Sequence, residues 1–457
     1  MELDAVLLSR LQFAFTIAFH ILFPTLTIGL GAFLVLIEGL WLKTGDRTYE
    51  LLYKFWTKVF ALAFGMGVVT GVVLSYEVGT NWSRFADMAG NVLGPLFIYE
   101  VLSAFFLEAG FVGIMLFGWN RVGPRMHFFA TVMVSFGTLV SAFWILAANS
   151  FMQTPAGFRV EGGRLFVDNW FDVVFNPSLP TRFAHMVLAS YVTAMFVVAG
   201  VSALHLLMDR PPQLARRAHS IGVAALAILV PLQIFVGDAS GLVAERYQPA
   251  KIAAFEGRWE TMAGAPLLLF AWPDQAAEMN KLELGIPKLA SLILTHSLDG
   301  EVRGLKEFAP DDRPHVFTVF WAFRVMVGIG FLMLFVVGWS LWCWWKGRLH
   351  ESGLLLTGHV MMIPLGFVAT LAGWTAAEVG RQPWVVYGVL RTLDAASRVP
   401  VASVAASLAL FVVVYNVLLA AFVYFLTRLV WRGPDDRMQL PTHAMPGLAK
   451  RAMMPAE

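Results

Sequence analysis

GWTAAEVGRQPW, residues 373–384, closes a long apolar segment with an unneutralised acid, Glu378, and a base, Arg381, close behind it. Charges at the border of an apolar span cost free energy, so they mark either a functional site or a salt bridge that anchors the helix. Pro383 stops the helix just beyond. The segment that they close, about 353–377, is one of a series. A membrane-spanning helix takes about 20 mainly apolar residues. Runs of that kind lie near 11–40, 54–78, 94–118, 126–149, 183–208, 217–236, 316–345, 353–377 and 402–428. The expected fold is therefore all-α: a polytopic membrane protein of about nine transmembrane helices with a long extracytoplasmic loop.

Composition supports this reading. Of 457 residues, 58% are hydrophobic and 14% charged, which excludes a chain of two or three soluble domains. A net charge of +2 over such a length implies no nucleic-acid partner. One cysteine, Cys343, excludes an internal disulfide and a thiolate cluster, and reads as a small core residue. The first apolar stretch is too long for the core of a cleaved signal peptide, so it is expected to stay as a helix.

Connections after spans one, three, five and seven carry Lys43, Arg47 and Lys54, then Arg121 and Arg125, then Arg210, Arg216 and Arg217, then Lys346 and Arg348. Arg428, Arg432, Arg437, Lys450 and Arg451 fall on the same side, whereas residues 79–93 carry only Arg84. By the positive-inside rule the N-terminus is outside and the C-terminus cytoplasmic. The expected organisation is helices one to six in 1–236, the extracytoplasmic loop in 237–313, helices seven to nine in 314–430 and a cytoplasmic tail in 431–457, all in one structural domain. The loop holds Lys251, Glu256, Asp274, Lys281 and Glu301. Loops of this length usually carry function.

Several polar side chains sit where hydrocarbon is expected. His20 lies about ten residues into the first span. It reads either as a hydrogen-bonded packing residue or as a metal or haem ligand. His185, in TRFAHMVLASYV, has the same two readings. Met326, in AFRVMVGIG, lies at a similar depth, and a His–Met pair is an axial set for an electron-transfer haem. Arg324 beside it could hold a propionate, while a single methionine is usually core filler. Glu100 and Glu108 lie eight residues apart in one span that has no basic residue, an arrangement expected of a proton relay. Ser141 and Asn149 either extend that polar path or pack helices. In QPAKIAAFEGRWET, Lys251 and Glu256 could bind a quinol head group and take its protons, although spacing alone favours a solvated charge pair. His127, His205, His219, His350 and His359 at span ends, and His296 and His315 in the loop, read as interfacial hydrogen-bonding groups.

These segments together resemble subunit I of the cytochrome bd-type quinol oxidases, including the cyanide-insensitive branch. The resemblance runs through LSRLQFA (8–14), the His20 segment, GTNWS (79–83), the two-carboxylate span, FWILAANSFMQ (143–153), the His185 segment, GDASG (237–241), the 251–261 stretch, WAFRVM (321–326) and GRQPW (380–384). It implies that His185 and Met326 ligate a low-spin haem b with Arg324 close by, and that His20 and Glu378 ligate two high-spin haems. One of these is a haem b, and the other a haem d or a third haem b. Arg381 lies where a propionate or the quinol loop could be held. Glu100 and Glu108 match the acidic pair near those haems, with Glu108, Ser141 and Asn149 on a cytoplasmic proton route. Lys251 and Glu256 match the pair linked to quinol oxidation.

The implied activity is that of a terminal respiratory oxidase in the bacterial cytoplasmic (inner) membrane. Quinol is oxidised at the outer face, electrons pass through three haems, and dioxygen is reduced to water with protons from the cytoplasm. This contributes to the proton motive force without pumping. The implied partners are subunit II, in some members a small accessory subunit, and the lipid bilayer. Two departures stand out: the loop lacks a long insertion in its second half, placing the chain among short-loop members, and Ala109 follows Glu108 where a hydroxyl residue is expected. A proton-coupled transporter would use the same carboxylates, but it predicts internal repeats and paired broken helices, and neither is visible. A non-catalytic anchor subunit would not need His20, Glu378 and two further membrane carboxylates.

Overall fold

The computed structural model describes residues 4–208 and 212–434. Arg210, Arg437, Lys450 and Arg451, which entered the orientation count, and most of the expected tail lie outside the described residues.

The chain order is α1 (Ala5–Thr44), α2 (Arg47–Thr80), α3 (Ser83–Glu100), a π-helical turn (Val101–Phe105), α4 (Phe106–Phe117) and α5 (Pro124–Gln153). Next come the β1–β2 hairpin (Phe158–Glu161, Arg164–Val167), α6 (Trp170–Val174), α7 (Leu179–Leu207) and α8 (Pro212–Tyr247). The loop follows, with α9 (Pro249–Phe255), β3 (Met262–Ala263), β4 (Leu267–Asp274), β5 (Met279–Ile286), α10 (Leu289–Thr295) and β6 (Glu301–Val302). The last part holds α11 (Val316–Trp345), α12 (Gly353–Met362), α13 (Leu365–Val379), β7 (Trp384–Val386), β8 (Leu390–Arg391), α14 (Thr392–Ala395) and α15 (Val401–Arg432). Among the described residues, nine helical segments are long and apolar enough to cross a membrane. The protein is an all-α polytopic membrane protein, and the four small sheets among the described residues are two-stranded and antiparallel.

Local chemistry explains the helix ends. Asp4 caps α1 by accepting from the Leu7 amide at 2.6 Å, Gly45 ends it in the left-handed region at φ 67°, and Asp46 caps α2 through the Thr48 amide at 2.8 Å. A two-residue connection, Gly45 and Asp46, thus turns the chain back. Pro364, which has no amide proton to donate, separates α12 from α13. α1 and α7 form the centre, with 61% and 72% of their apolar windows buried, whereas α15, at 6%, lies on the rim. Apolar side chains all round, as on α1 and α7, suit helices enclosed by other helices.

Alternation of the spans gathers the N-terminus of α1, the ends of α2, α5 and α8, and the starts of α7, α11 and α15 at one end with the loop, called here the loop end. Lys43, Arg47, Arg125, Arg216, Arg217, Lys346 and Arg348 collect at the opposite, basic end.

The expected loop boundary at 237 needs correction. α8 continues to Tyr247, so GDASGLVAERY is helical and the loop begins at Gln248. Hydropathy falls there, but no residue breaks the helix until Pro249, and a polar helix can protrude past the apolar layer. The same reason lengthens the other spans beyond their apolar runs.

The loop itself is ordered. Glu307 accepts from the Thr261 hydroxyl and from Arg303 at 2.6 Å, and Lys281 pairs with Asp274 at 2.7 Å. The Thr261 and Arg303 contacts hold Glu307 below its ordinary value of 4.5, and Lys281 does the same for Asp274 below 3.8. A depressed carboxylate contributes its stability in full above the unfolded value and loses it as pH falls through the folded value. Amide hydrogen exchange across 258–307, corrected for intrinsic rates, is therefore expected to rise selectively as pH drops from about 5 to about 3. A uniform change along the chain would contradict this.

Candidate functional site

Five elements meet at the loop end around the stretch that ends α13. Glu378 accepts from Asn149 Nδ2 and from Gln153 Nε2, both at 3.0 Å and both from the last turns of α5. Arg381 donates to the other carboxylate oxygen and, at 2.7 Å, to the Val385 carbonyl. Lys251 Nζ donates to Gln153 Oε1 at 2.5 Å, and Gln248 donates to the Gln153 carbonyl at 2.8 Å. One amide side chain, Gln153, thus joins the loop lysine to the membrane-border glutamate. Gly380 makes this approach possible, because a Cβ there would lie 2.9 Å from Lys251 Cγ.

Lys251 is 1% exposed. Burial, and then the positive charge of Arg182, pushes its ammonium well below the ordinary lysine range. The buried amine is therefore shifted toward its neutral form, as a solvated lysine is not.

Glu256, 5% exposed, does not pair with Lys251. Its Oε2 accepts from Arg324 at 2.8 Å, and Arg324 Nε donates to the Leu268 carbonyl at 2.5 Å. The solvated charge pair favoured by spacing is thus overturned. α9 ends at Phe255 and the chain turns at Gly257, φ 59°, so the two side chains serve different partners. Arg324, expected close to a haem, holds this carboxylate through Nη2.

The expected ligand positions are also placed. His20 Nδ1 lies 2.9 Å from Thr70 Oγ1. His185 Nε2 lies 3.3 Å from Gln233 Nε2, while its Nδ1 is buried without a partner. A Cβ on Gly71 would come within 3.2 Å of His20 Cε1, one on Gly237 within 3.2 Å of His185 Cε1, and one on Gly373 within 2.6 Å of Met326 Sδ. GWTAAEVGRQPW therefore touches Met326 through its first residue and Lys251 through Gly380.

Glu100 and Glu108 flank the π-helical turn. A π turn holds more residues than an α turn, so eight residues close two whole turns more nearly than in an uninterrupted helix, which brings the two onto one face. Ser141 donates to Glu100 Oε1 at 2.7 Å, and Glu108 is buried against Gly137 of α5. Of the two residues expected on the same route, Ser141 is thus bonded to Glu100 and Asn149 to Glu378. The histidines read as interfacial are mostly buried between helices: His127 lies 2.6 Å from Glu38, and His219 lies 3.1 Å from His359.

Two members of the site were not singled out from sequence, Gln153 and Arg182. Gln153 ends the FWILAANSFMQ motif, and Arg182 precedes His185 by almost one helical turn, which were the available signals.

The sequence profile described as cytochrome bd terminal oxidase subunit I matches residues 8–434. The chain belongs to the cytochrome bd terminal oxidase subunit I family. It is 35% identical over 502 residues to the cytochrome bd-II ubiquinol oxidase subunit 1 of Escherichia coli (strain K12), covering 94% of this chain and 97% of that protein. It is 34% identical over 460 residues to the cytochrome bd ubiquinol oxidase subunit 1 of Bacillus subtilis (strain 168), covering 97% and 98%. Its fold is similar to that of the bd oxidase of Geobacillus thermodenitrificans, with a TM-score of 0.87, 34% identity, and coverage of 94% and 99%. As a cytochrome bd subunit I, the protein is part of a quinol:oxygen oxidoreductase of the respiratory chain that uses haem and works with a subunit II.

The residues suit haem in two respects. Among the described residues, no group of three His, Cys, Asp or Glu side chains could hold a bare metal ion, and isolated imidazoles such as those of His20 and His185 would suit an iron whose other ligands come from a macrocycle. Glu378 also faces three basic side chains, Arg381, Lys251 and Arg182, and buried Nε atoms of Arg182 and Arg381 have no partner. Even with Lys251 neutral, two guanidiniums against one carboxylate leave positive charge that a bound anion, such as a haem propionate, would balance.

Proposed function

We propose that this cytochrome bd subunit I oxidises quinol at the loop end, which faces the outside, and takes the protons for dioxygen reduction from the basic, cytoplasmic end. His185 and Met326 would hold a low-spin haem b, and His20 and Glu378 two high-spin haems, one a haem b and the other a haem d or a haem b. Bound there, haem supplies one-electron transfer and dioxygen chemistry.

The residues divide the remaining work. Glu256, fixed through Oε2 by Arg324, has Oε1 left to accept a quinol hydroxyl proton. Lys251, already shifted toward its neutral form, binds or accepts from the second hydroxyl. Arg381, Asn149 and Gln153 orient Glu378 from three directions. Glu108, in the interior of the bundle, holds a proton on its way from the basic end, and Glu100 with Ser141 continues the path toward the loop end. Protons released outside and taken up inside separate charge with no pump. A small accessory subunit beside subunit II is compatible with this scheme.

The observation that carries the proposal is the Lys251–Gln153–Glu378 chain of hydrogen bonds, which ties the loop to the α13 terminus. Lys251→Met is expected to lower quinol oxidase activity by about tenfold or more, the loss typical of a missing proton-handling group, with haem content by pyridine haemochrome unchanged. Full activity in that variant would defeat the assignment.

A further inference from the structure

The β4–β5 hairpin carries large apolar side chains on both faces, which is unusual for a ribbon in water. Its inner face packs on the first turns of α11. Leu268 and Ala271 are buried with Phe320, while Phe270 and Trp272, both exposed, reach α11 from the side of the ribbon, Phe270 edge-on to Trp321 at 5.1 Å and Trp272 to Phe317 at 5.0 Å. On its outward surface Leu282 and Leu284 are 64% and 65% exposed, joined by exposed Leu269 and Ile286. Polar side chains lie toward the tip, at Asp274, Glu278, Asn280 and Lys281, and at Glu283, which is paired with Ala271 across the ribbon and accepts from Asn280 at 2.6 Å. Elsewhere the loop shows the ordinary aqueous pattern of surface ion pairs, Lys288–Asp299, Arg303–Glu307 and Lys306–Glu260.

The position of α11 decides what covers these leucines. The helix has 30 residues, so it is about 45 Å long, while the hydrocarbon layer is about 30 Å thick and the bilayer with head groups about 40–45 Å. Exposed Trp342, Trp344 and Trp345 mark one interface, and Phe317 and Trp321, in the first turns, fall at the head-group level of the other. A hairpin packed on residues 317–321 lies at that level. Its exposed leucines continue the exposed apolar side of α11, which includes Val325, Phe331, Leu332 and Phe335.

We infer that the outward face of the hairpin is seated in lipid at the loop-end interface and forms the doorway through which a long-tailed quinol leaves the bilayer for its site. The hairpin is joined to that site by one guanidinium: Arg324 binds both the Leu268 carbonyl of β4 and Glu256. A quinol sliding along the apolar ribbon keeps its tail in lipid while its head group reaches Glu256. The doorway rests on the proposed quinol site, but the lipid contact does not.

The test uses the purified oxidase with its subunit II, reconstituted in phosphatidylcholine–phosphatidylglycerol liposomes. Leu282→Cys and Leu284→Cys, each with Cys343→Ala, are spin-labelled, and power saturation compares access of oxygen with that of a water-soluble nickel chelate. Oxygen access several-fold above that of nickel at 282 and 284, with the reverse at a label on exposed Ala277→Cys at the tip, is expected. Nickel access equal to or above that of oxygen at 282 and 284 overturns the lipid seat, and low access to both reagents overturns it in favour of a covering protein. These readings do not depend on turnover, so they stand apart from the Lys251→Met result. For the doorway, Leu284→Glu is expected to raise KM for a long-tailed quinol several-fold while leaving kcat, and KM for a short water-soluble quinol, within twofold. An unchanged KM for the long-tailed quinol, or an equal loss with both quinols, overturns it.

Discussion

Met326→Leu is expected to erase the low-spin haem b signal from the reduced-minus-oxidised spectrum and to cut quinol oxidase activity to below about a tenth. Leucine nearly matches methionine in volume, and such exchanges cost less than about 1.5 kcal/mol, so the fold survives. What leucine lacks is the thioether. Gly373 leaves space at Sδ that a Cβ would fill to 2.6 Å, so the sulfur position is set by the middle of α13 as well as by α11. A low-spin signal of unchanged intensity in the variant would remove Met326 from the ligand set.

Glu108→Gln is expected to lower oxygen consumption by about 10²–10⁴-fold, the range for loss of a positioned proton-transfer group. Haem content and anaerobic reduction by quinol should be unchanged. The amide keeps the shape of the carboxyl but cannot release a proton. Glu108 is buried in α4, which has no basic residue, and the π turn aligns it with Glu100, whose carboxylate already accepts from Ser141. Oxygen consumption at the parent rate would take Glu108 off the route.

Nine spans were legible because hydropathy and length are local properties that the bilayer reads one segment at a time. The end of the sixth span was not, since hydropathy reports the apolar layer and not where the hydrogen-bonded helix stops; α8 runs on to Tyr247. Lys251 and Glu256 were legible as a functional stretch through the resemblance, yet their spacing suggested a mutual pair. Each is instead held by a residue distant in sequence, Gln153 and Arg324. The π turn between Glu100 and Glu108 gave no signal in residue types at all.

GWTAAEVGRQPW illustrates the division. By itself the sequence determined that a span ends there with an acid and a base, that the chain crosses the membrane about nine times, and, through its motifs, which family it joins. These follow from composition and order along the chain. Only the tertiary structure decided that Gly373 would face Met326, that Gly380 would admit Lys251, and that Asn149, Gln153 and Arg381 would converge on Glu378. The physical reason is that Asn149 and Glu378 are 229 residues apart, so their contact depends on which faces of α5 and α13 meet once α1 and α7 fill the centre, and no local pattern encodes that choice.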